Sequence, residues 1–368
     1  MIPVNRPVID ADDISAVVSA LENTWISGET PPIGQLEESL ATMVGADHAI
    51  AVSSGTSALD ISINALGLNS NSKVIAPTFT IISTVAEVLR SGAELLLVDS
   101  EPNTWGMDVL AAENALDEKV DLVLPVHIYG LPVQLKDLNA AAKKLGVFVL
   151  EDAAEVLGQT VDEGFVGATS SAGIYSFYAN KIVTGGEGGA IVTSDKDFAK
   201  KARYLRNLCF RPEERFVHTD LGWNTRMSGI QAAVINSQLQ RLPKLLDRKR
   251  TIGALYREGL DGHPWFDLQK QFANSAENVY WVVALLLRNE SGISASELQT
   301  KLRDAGVDTR RFFCPIHMQP FTKDFKIRQI TDLSFSEKLW KMGLYLPSGI
   351  GNTDSEIEKV IDVLWKMA

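Results

Sequence analysis

Residues 48–100 read HAIAVSSGTSALDISINALGLNSNSKVIAPTFTIISTVAEVLRSGAELLLVDS. Three short apolar runs, HAIAVSS, SKVIAP and ELLLVDS, are separated by two helix-like stretches, TSALDISINALGL and TIISTVAEVLRSG. Runs that are apolar at nearly every position, not at alternate ones, suit strands covered on both faces. Such strands alternating with helices predict a mostly parallel sheet in an α/β fold. Downstream the pattern continues with VDLVLPVHIYG, VFVLEDAAE, GIYSFY and GGAIVTSD as strands and LKDLNAAAKKLG as a helix. Upstream, residues 10–23 have helical spacing, with Ile14, Val17, Val18 and Leu21 on one face. Residues 24–33 carry Gly and Pro and predict a loop, followed by a second helix over 34–44.

From Lys196 the chain turns helical and basic, and residues 221–260 read as one or two long helices. The remainder has one clear strand, YWVVALLLR, and helices at ASELQTKLRDAG, FSEKLWKMGL and DSEIEKVIDVLWKM. The expected organisation is a large α/β domain over 1–245 and a smaller α+β domain over 246–368.

A net charge of −11 argues against a general nucleic-acid binder, which presents a basic face. Phosphate ligands stay open, because backbone N–H groups bind them locally. Two isolated cysteines, Cys209 and Cys314, form neither a disulfide framework nor a zinc pattern and fit a reducing compartment. The opening MIPVNRPVIDADD is not read as a signal peptide, and no apolar run is long enough for a membrane span. A soluble cytoplasmic protein is expected. Neither GxxxxGKS nor GxxxxGKT occurs, so a nucleotide P-loop is not supported.

Three stations fall at the ends of expected strands, where ligands sit in open α/β sheets. In the first, Ser53, Ser54, Gly55 and Thr56 lead from a strand into a helix. That turn is either a plain Ser/Thr cap or a phosphate site built from free N–H groups and hydroxyls. In the second, Glu151 and Asp152 close an apolar strand. A carboxylate there needs a partner, either the next N-terminus or a protonated ring nitrogen. The third is YSFYANKIVTGGEGGA, residues 175–190, where Ser176 and Lys181 precede a glycine-rich loop. A lysine behind a strand end can be desolvated into a nucleophilic amine, or it can be an ordinary surface lysine beside a turn. His127 and Tyr129 in PVHIYG read as a polar pair satisfied by backbone, and Glu187 as a carboxylate bonded to glycine N–H groups.

With these stations in place, the chain resembles the DegT/DnrJ/EryC1/StrS family, through TWISGE, PVHIYG, EDAAE, YSFYANKIVTGGEGGAIVTSD, WNTRMSGIQAA and LYLPS. The resemblance spans nearly the whole chain. It implies a fold-type I aminotransferase that uses pyridoxal 5′-phosphate, takes its amino group from glutamate and acts on a nucleotide-linked keto sugar. It also implies a homodimer or larger assembly with shared active sites. By position, Lys181 matches the Schiff-base lysine and Asp152 the acid paired with the pyridine nitrogen. Gly55, Thr56 and Ser176 match the phosphate cup, and Glu155 a polar position beside the cofactor's 3′ oxygen. Asn224 matches an asparagine that reaches the phosphate of the neighbouring subunit. His317 falls near the sugar, either packed beside Pro315 or touching substrate. Arg310 and Arg311 suit a pyrophosphate or a surface ion pair equally well. Two positions depart from the family: Ile81 replaces an aromatic ring stacked on the cofactor, and Thr225 replaces a tyrosine. Two rival readings follow. One is a sugar dehydratase of the same family, which carries histidine in place of the lysine. The other is a non-catalytic sensor or binding relative.

Overall fold

The computed structural model describes all of residues 1–368. Strands β1 (His48–Val52), β2 (Lys73–Pro77), β3 (Glu94–Val98), β4 (Leu122–Val123), β5 (Phe148–Asp152), β6 (Ala172–Ser176) and β7 (Gly189–Thr193) form the large sheet. The small sheet is made of β8 (Phe266–Leu268), β9 (Val283–Leu287), β10 (Arg310–Arg311) and β12 (Gly343–Leu346), while β11 (Ile327–Gln329) belongs to the large one.

The large sheet has the order β1-β7-β6-β5-β4-β2-β3-β11. Every pairing is parallel except those of β7 with β1 and β6. Its strands are almost wholly buried, as continuous apolar runs require, and Ile50, Ile75, Leu97, Leu150 and Ile174 lose all contact with water. After β3 the chain returns to the other side of β2 to make β4. That reversal of strand order opens a crevice at the C-terminal ends of the strands.

The small sheet is antiparallel, in the order β8-β9-β12-β10. The boundary expected at 245/246 falls inside one helix, Leu242–Gly259. Its first part packs Leu242, Leu245 and Leu246 into the large core, and its second part packs Ile252 and Tyr256 into the small one. Two segments cross that boundary. Ile2 bridges to Val307, and Ile327–Gln329 lies parallel beside β3. No helix is long and apolar enough to cross a membrane.

Two local expectations need correction, and the first helix adds a finding. The strand read over VDLVLPVHIYG stops at Val123. Pro125 has no N–H to donate, and Tyr129 turns the chain with φ of 60°. The loop read over 24–33 ends early, because the helix starts at Pro31; prolines at its first positions forgo no intrahelical bond. The helix Ala11–Glu22 buries Asp13 and Ala20, and leaves Ile14, Val18 and Leu21 exposed. Asp13 is held inside by an ion pair with Arg241 and a hydrogen bond from Gln238 (3.2 Å), the partners a buried carboxylate requires.

Candidate active site

A cavity of about 330 Å³ opens where β1, β2, β5 and β6 end, facing Trp281 and Tyr345 of the small lobe. That is room enough for a small organic cofactor.

At the end of β1 the chain enters the helix Gly55–Leu66, whose cap is Ser54: its Oγ accepts from the Ser57 N–H at 3.0 Å. The N–H groups of Gly55 and Thr56 open this helix and have no intrahelical acceptor, so they are free to bind an anion. Gly55 is required by a close approach, since a Cβ there would lie 2.9 Å from the Ser176 Cβ. The Ser176 hydroxyl therefore sits against the helix start. The turn is a Ser cap and an anion cradle together.

β5 ends in two carboxylates that face opposite ways. Glu151 points away from the cavity. It accepts from the N–H groups of Gly167 (2.8 Å) and Thr169 (3.0 Å), the Thr169 hydroxyl (2.8 Å) and His127 Nε2 (3.0 Å). His127 Nδ1 accepts the Val133 N–H at 3.0 Å, so the proton lies on Nε2. Burial pushes the Glu151 carboxyl up, but these donors outweigh it and hold it below its ordinary value. His127 thus spends one nitrogen on a carboxylate, not on backbone as expected. Tyr129 does meet backbone: its hydroxyl accepts from the Phe313 N–H at 3.3 Å.

Asp152 faces the cavity. Thr84 Oγ1 donates to its Oδ2 at 2.9 Å and the Ala154 N–H to its Oδ1 at 3.2 Å. Burial pushes this carboxyl up, against those donors and the charge of Lys181. A buried carboxylate with only neutral donors in contact suits a cationic ring nitrogen opposite it.

Lys181 is 12 % exposed, with Nζ 3.8 Å from Glu155 Oε1 and 3.9 Å above the centre of the Trp281 ring. Burial pulls its pKa down, against the attraction of Glu155 and Asp152. Glu155 also receives the Tyr129 N–H at 2.7 Å; burial raises it to about 7, against the pull of Lys181. The amine is thereby shielded from bulk water and stands beside a carboxyl whose pKa burial raises, surroundings that suit a proton-moving lysine.

Lys181, Asp152, Glu155, Ser176, Gly55, Thr56 and Ile81 all line this one cavity. Ile81 stands at its mouth, 44 % exposed. Three expected residues do not line it. Asn224 is exposed and bonded to Arg226 at 3.0 Å. His317 is packed, with Nδ1 2.7 Å from Thr78 Oγ1 and Nε2 3.4 Å from Glu337. Arg310 pairs with Asp308 at 2.7 Å and lines an adjoining groove of about 480 Å³, which shares Tyr178, Asn180, Trp281 and Tyr345 with the cavity. Arg311 is spent on the carbonyls of Trp340, Lys341 and Gly343. Glu187 is exposed at the cavity edge and accepts none of the glycine N–H bonds expected for it.

The sequence reading missed Trp281, Tyr345 and Thr84. Trp281 and Tyr345 sit in apolar runs that read as core, and Thr84 in a helix. Only the polar Thr84 inside TIISTV carried any signal.

Comparison with known proteins gives the same picture over the full length. The chain is 31 % identical over 363 residues to a GDP-perosamine synthase of Caulobacter vibrioides, covering 99 % of this chain and 97 % of that one. It is 31 % identical over 348 residues to the GDP-perosamine synthase of Escherichia coli O157:H7, covering 94 % and 93 %. The E. coli GDP-4-keto-6-deoxy-D-mannose-3-dehydratase, solved with bound hydrated PLP, has the same fold: TM-score 0.92 at 22 % identity, covering 99 % of each chain. The model of the DegT/DnrJ/EryC1/StrS aminotransferase family matches residues 7–365, and the chain belongs to that family.

Proposed function

We propose that this chain is a pyridoxal phosphate-dependent aminotransferase that moves the amino group of glutamate onto a nucleotide-linked keto sugar, with a GDP-linked 4-keto-6-deoxy sugar as the first candidate. The observation that carries the reading is the meeting of Lys181, Asp152 and the open start of the helix Gly55–Leu66 in one cavity. The two perosamine synthases at 31 % identity support the choice of substrate class. Lys181 itself favours amino transfer over the dehydratase alternative, and the complete set of polar groups favours an enzyme over a binding relative.

Pyridoxal phosphate, when bound, supplies an aldehyde that condenses with amines and a ring that takes up negative charge. The Gly55 and Thr56 N–H groups and the Ser176 hydroxyl are suited to hold its phosphate. Asp152, oriented by Thr84 and Ala154, would stand opposite the ring nitrogen and favour its protonated form. Lys181 would be the amine that holds the aldehyde and, when free, the base that could move a proton. Glu155, beside the Lys181 amine, would offer a polar partner to the cofactor's 3′ oxygen. Trp281 and Tyr345 close the cavity toward the small lobe and keep water from the amine.

Asn224 completes the cofactor phosphate site of a neighbouring subunit in a C₂ homodimer, a role that fits its exposure and its absence from its own cavity. Arg310 meets the substrate pyrophosphate in the adjoining groove, and His317 supports the sugar side through the Thr78 loop. The two lobes are two domains that meet within the helix Leu242–Gly259, and the enzyme works in the cytoplasm. The test is a panel of nucleotide-linked keto sugars supplied with glutamate. Formation of an amino sugar with equal release of 2-oxoglutarate is expected, and dehydration without amino transfer would replace this reading with the dehydratase.

A further inference from the structure

Lys249 is 2 % exposed and has no carboxylate partner. Its amine donates to the Trp281 carbonyl at 3.0 Å and to the Ser348 carbonyl. A void of about 10 Å³, room for one water at most, is lined by both Lys249 and Lys181. About two turns further along the same helix face, the Tyr256 hydroxyl donates to the Pro347 carbonyl at 2.8 Å. The helix Leu242–Gly259 therefore grips both segments that carry the small-lobe wall of the cavity, Trp281 and the turn after Tyr345. The Trp281 ring, whose Nε1 donates to the Asn180 carbonyl at 3.1 Å, in turn covers Lys181 Nζ. A buried amine without a counter-charge is costly, and two carbonyls are what a neutral amine can satisfy with its two donors. Burial does pull Lys249 down, to about 7, and the neighbouring Arg248 adds to it.

We propose that Lys249 is a positioning residue of the active site: by pinning the Trp281 carbonyl it holds the indole over Lys181 and keeps that amine dry. This rests on the reading that Lys181 is the site's reactive amine. The charged groups facing Lys181 are Glu155 and Asp152, and neither touches Lys249.

The test uses the cofactor-free, full-length protein. Lys181 is labelled with limiting acetic anhydride across the neutral-to-alkaline range and read by peptide mass spectrometry, which gives the midpoint of its amine. Lys249→Met, which cannot donate, raises that midpoint by about one pH unit as water reaches Lys181. Lys249→Gln, whose amide still donates, keeps the wild-type midpoint. In a Trp281→Phe background, where the midpoint is already raised, Lys249→Met adds nothing further. A folded Lys249→Met with an unmoved midpoint, or with the same shift in both backgrounds, overturns the proposal. If Lys249→Met does not fold, Trp281→Phe and Lys249→Gln decide: an unmoved midpoint in the first or a raised one in the second overturns it. No readout involves the cofactor. A cofactor found elsewhere than on Lys181 would end the functional reading and leave this measurement intact.

Discussion

The two walls of the cavity are built on different principles. The large-sheet wall is made of strand ends: Gly55 and Thr56 after β1, Asp152 at the end of β5, Ser176 at the end of β6 and Lys181 just beyond. Each is a polar or glycine position at the end of an apolar run; Gly55 and Thr56 act through backbone N–H groups, the others through side-chain atoms close to a strand end. The small-lobe wall is Trp281, Tyr345 and Phe313, aromatic side chains delivered by the bend just before β9, by β12 and by the loop after β10. Their work is to exclude water and shape the space. A chemical group announces itself against a hydrophobic background, whereas a wall residue is itself part of that background.

This contrast predicts a gradient of effects, steepest on the large-sheet side. Lys181→Ala is expected to lower turnover by at least about 10⁴-fold while cofactor is still retained, measured by steady-state rate and by absorbance of the dialysed protein. Asp152→Asn is expected to lose about 10²- to 10³-fold in rate with unchanged circular dichroism, since an amide cannot stabilise the proton opposite it. Near-normal turnover in that variant would reduce Asp152 to a cap. On the small-lobe side, Trp281→Phe is expected to cost only about tenfold in kcat/KM, as partial loss of a packed, water-excluding ring does. A loss as large as that of Lys181→Ala would erase the difference between the walls.

The last expectation is a pH dependence of stability. Lys249 sits at about 7 in the folded chain against 10.5 as the ordinary value. Between those values the unfolded chain binds the extra proton, so folded stability rises with pH. The advantage of wild type over Lys249→Met in urea unfolding should therefore grow from neutral pH toward the ordinary lysine value. A difference that stays flat would mean that Lys249 is charged inside the fold.

The same contrast explains what was legible. Seven of the large-sheet strands stood out in the sequence because burial on both faces demands largely apolar runs, as in GAIVT at Gly189–Thr193 and ELLLV at Glu94–Val98. Strands β8, β10, β11 and β12 escaped, being two to four residues long. Arg310–Arg311 and Ile327–Gln329 are also largely polar, and their neighbours in the sheets are far away in the chain. The first helix leaves Ile14, Val18 and Leu21 exposed on the face its spacing picks out and buries Asp13, which finds Arg241 only after folding. Trp281 and Lys249 were hidden for a similar reason: an aromatic in an apolar run and a lysine in a basic helix are ordinary until the fold places the first against Lys181 and the second on the first's carbonyl.

The central claim is that Lys181 carries the cofactor and its chemistry. The most direct measurement reduces the loaded protein with borohydride and maps the cofactor-bearing peptide. The account predicts the label on Lys181 alone, with loss of all labelling in Lys181→Ala. A label on any other lysine, or one that survives in Lys181→Ala, would contradict it.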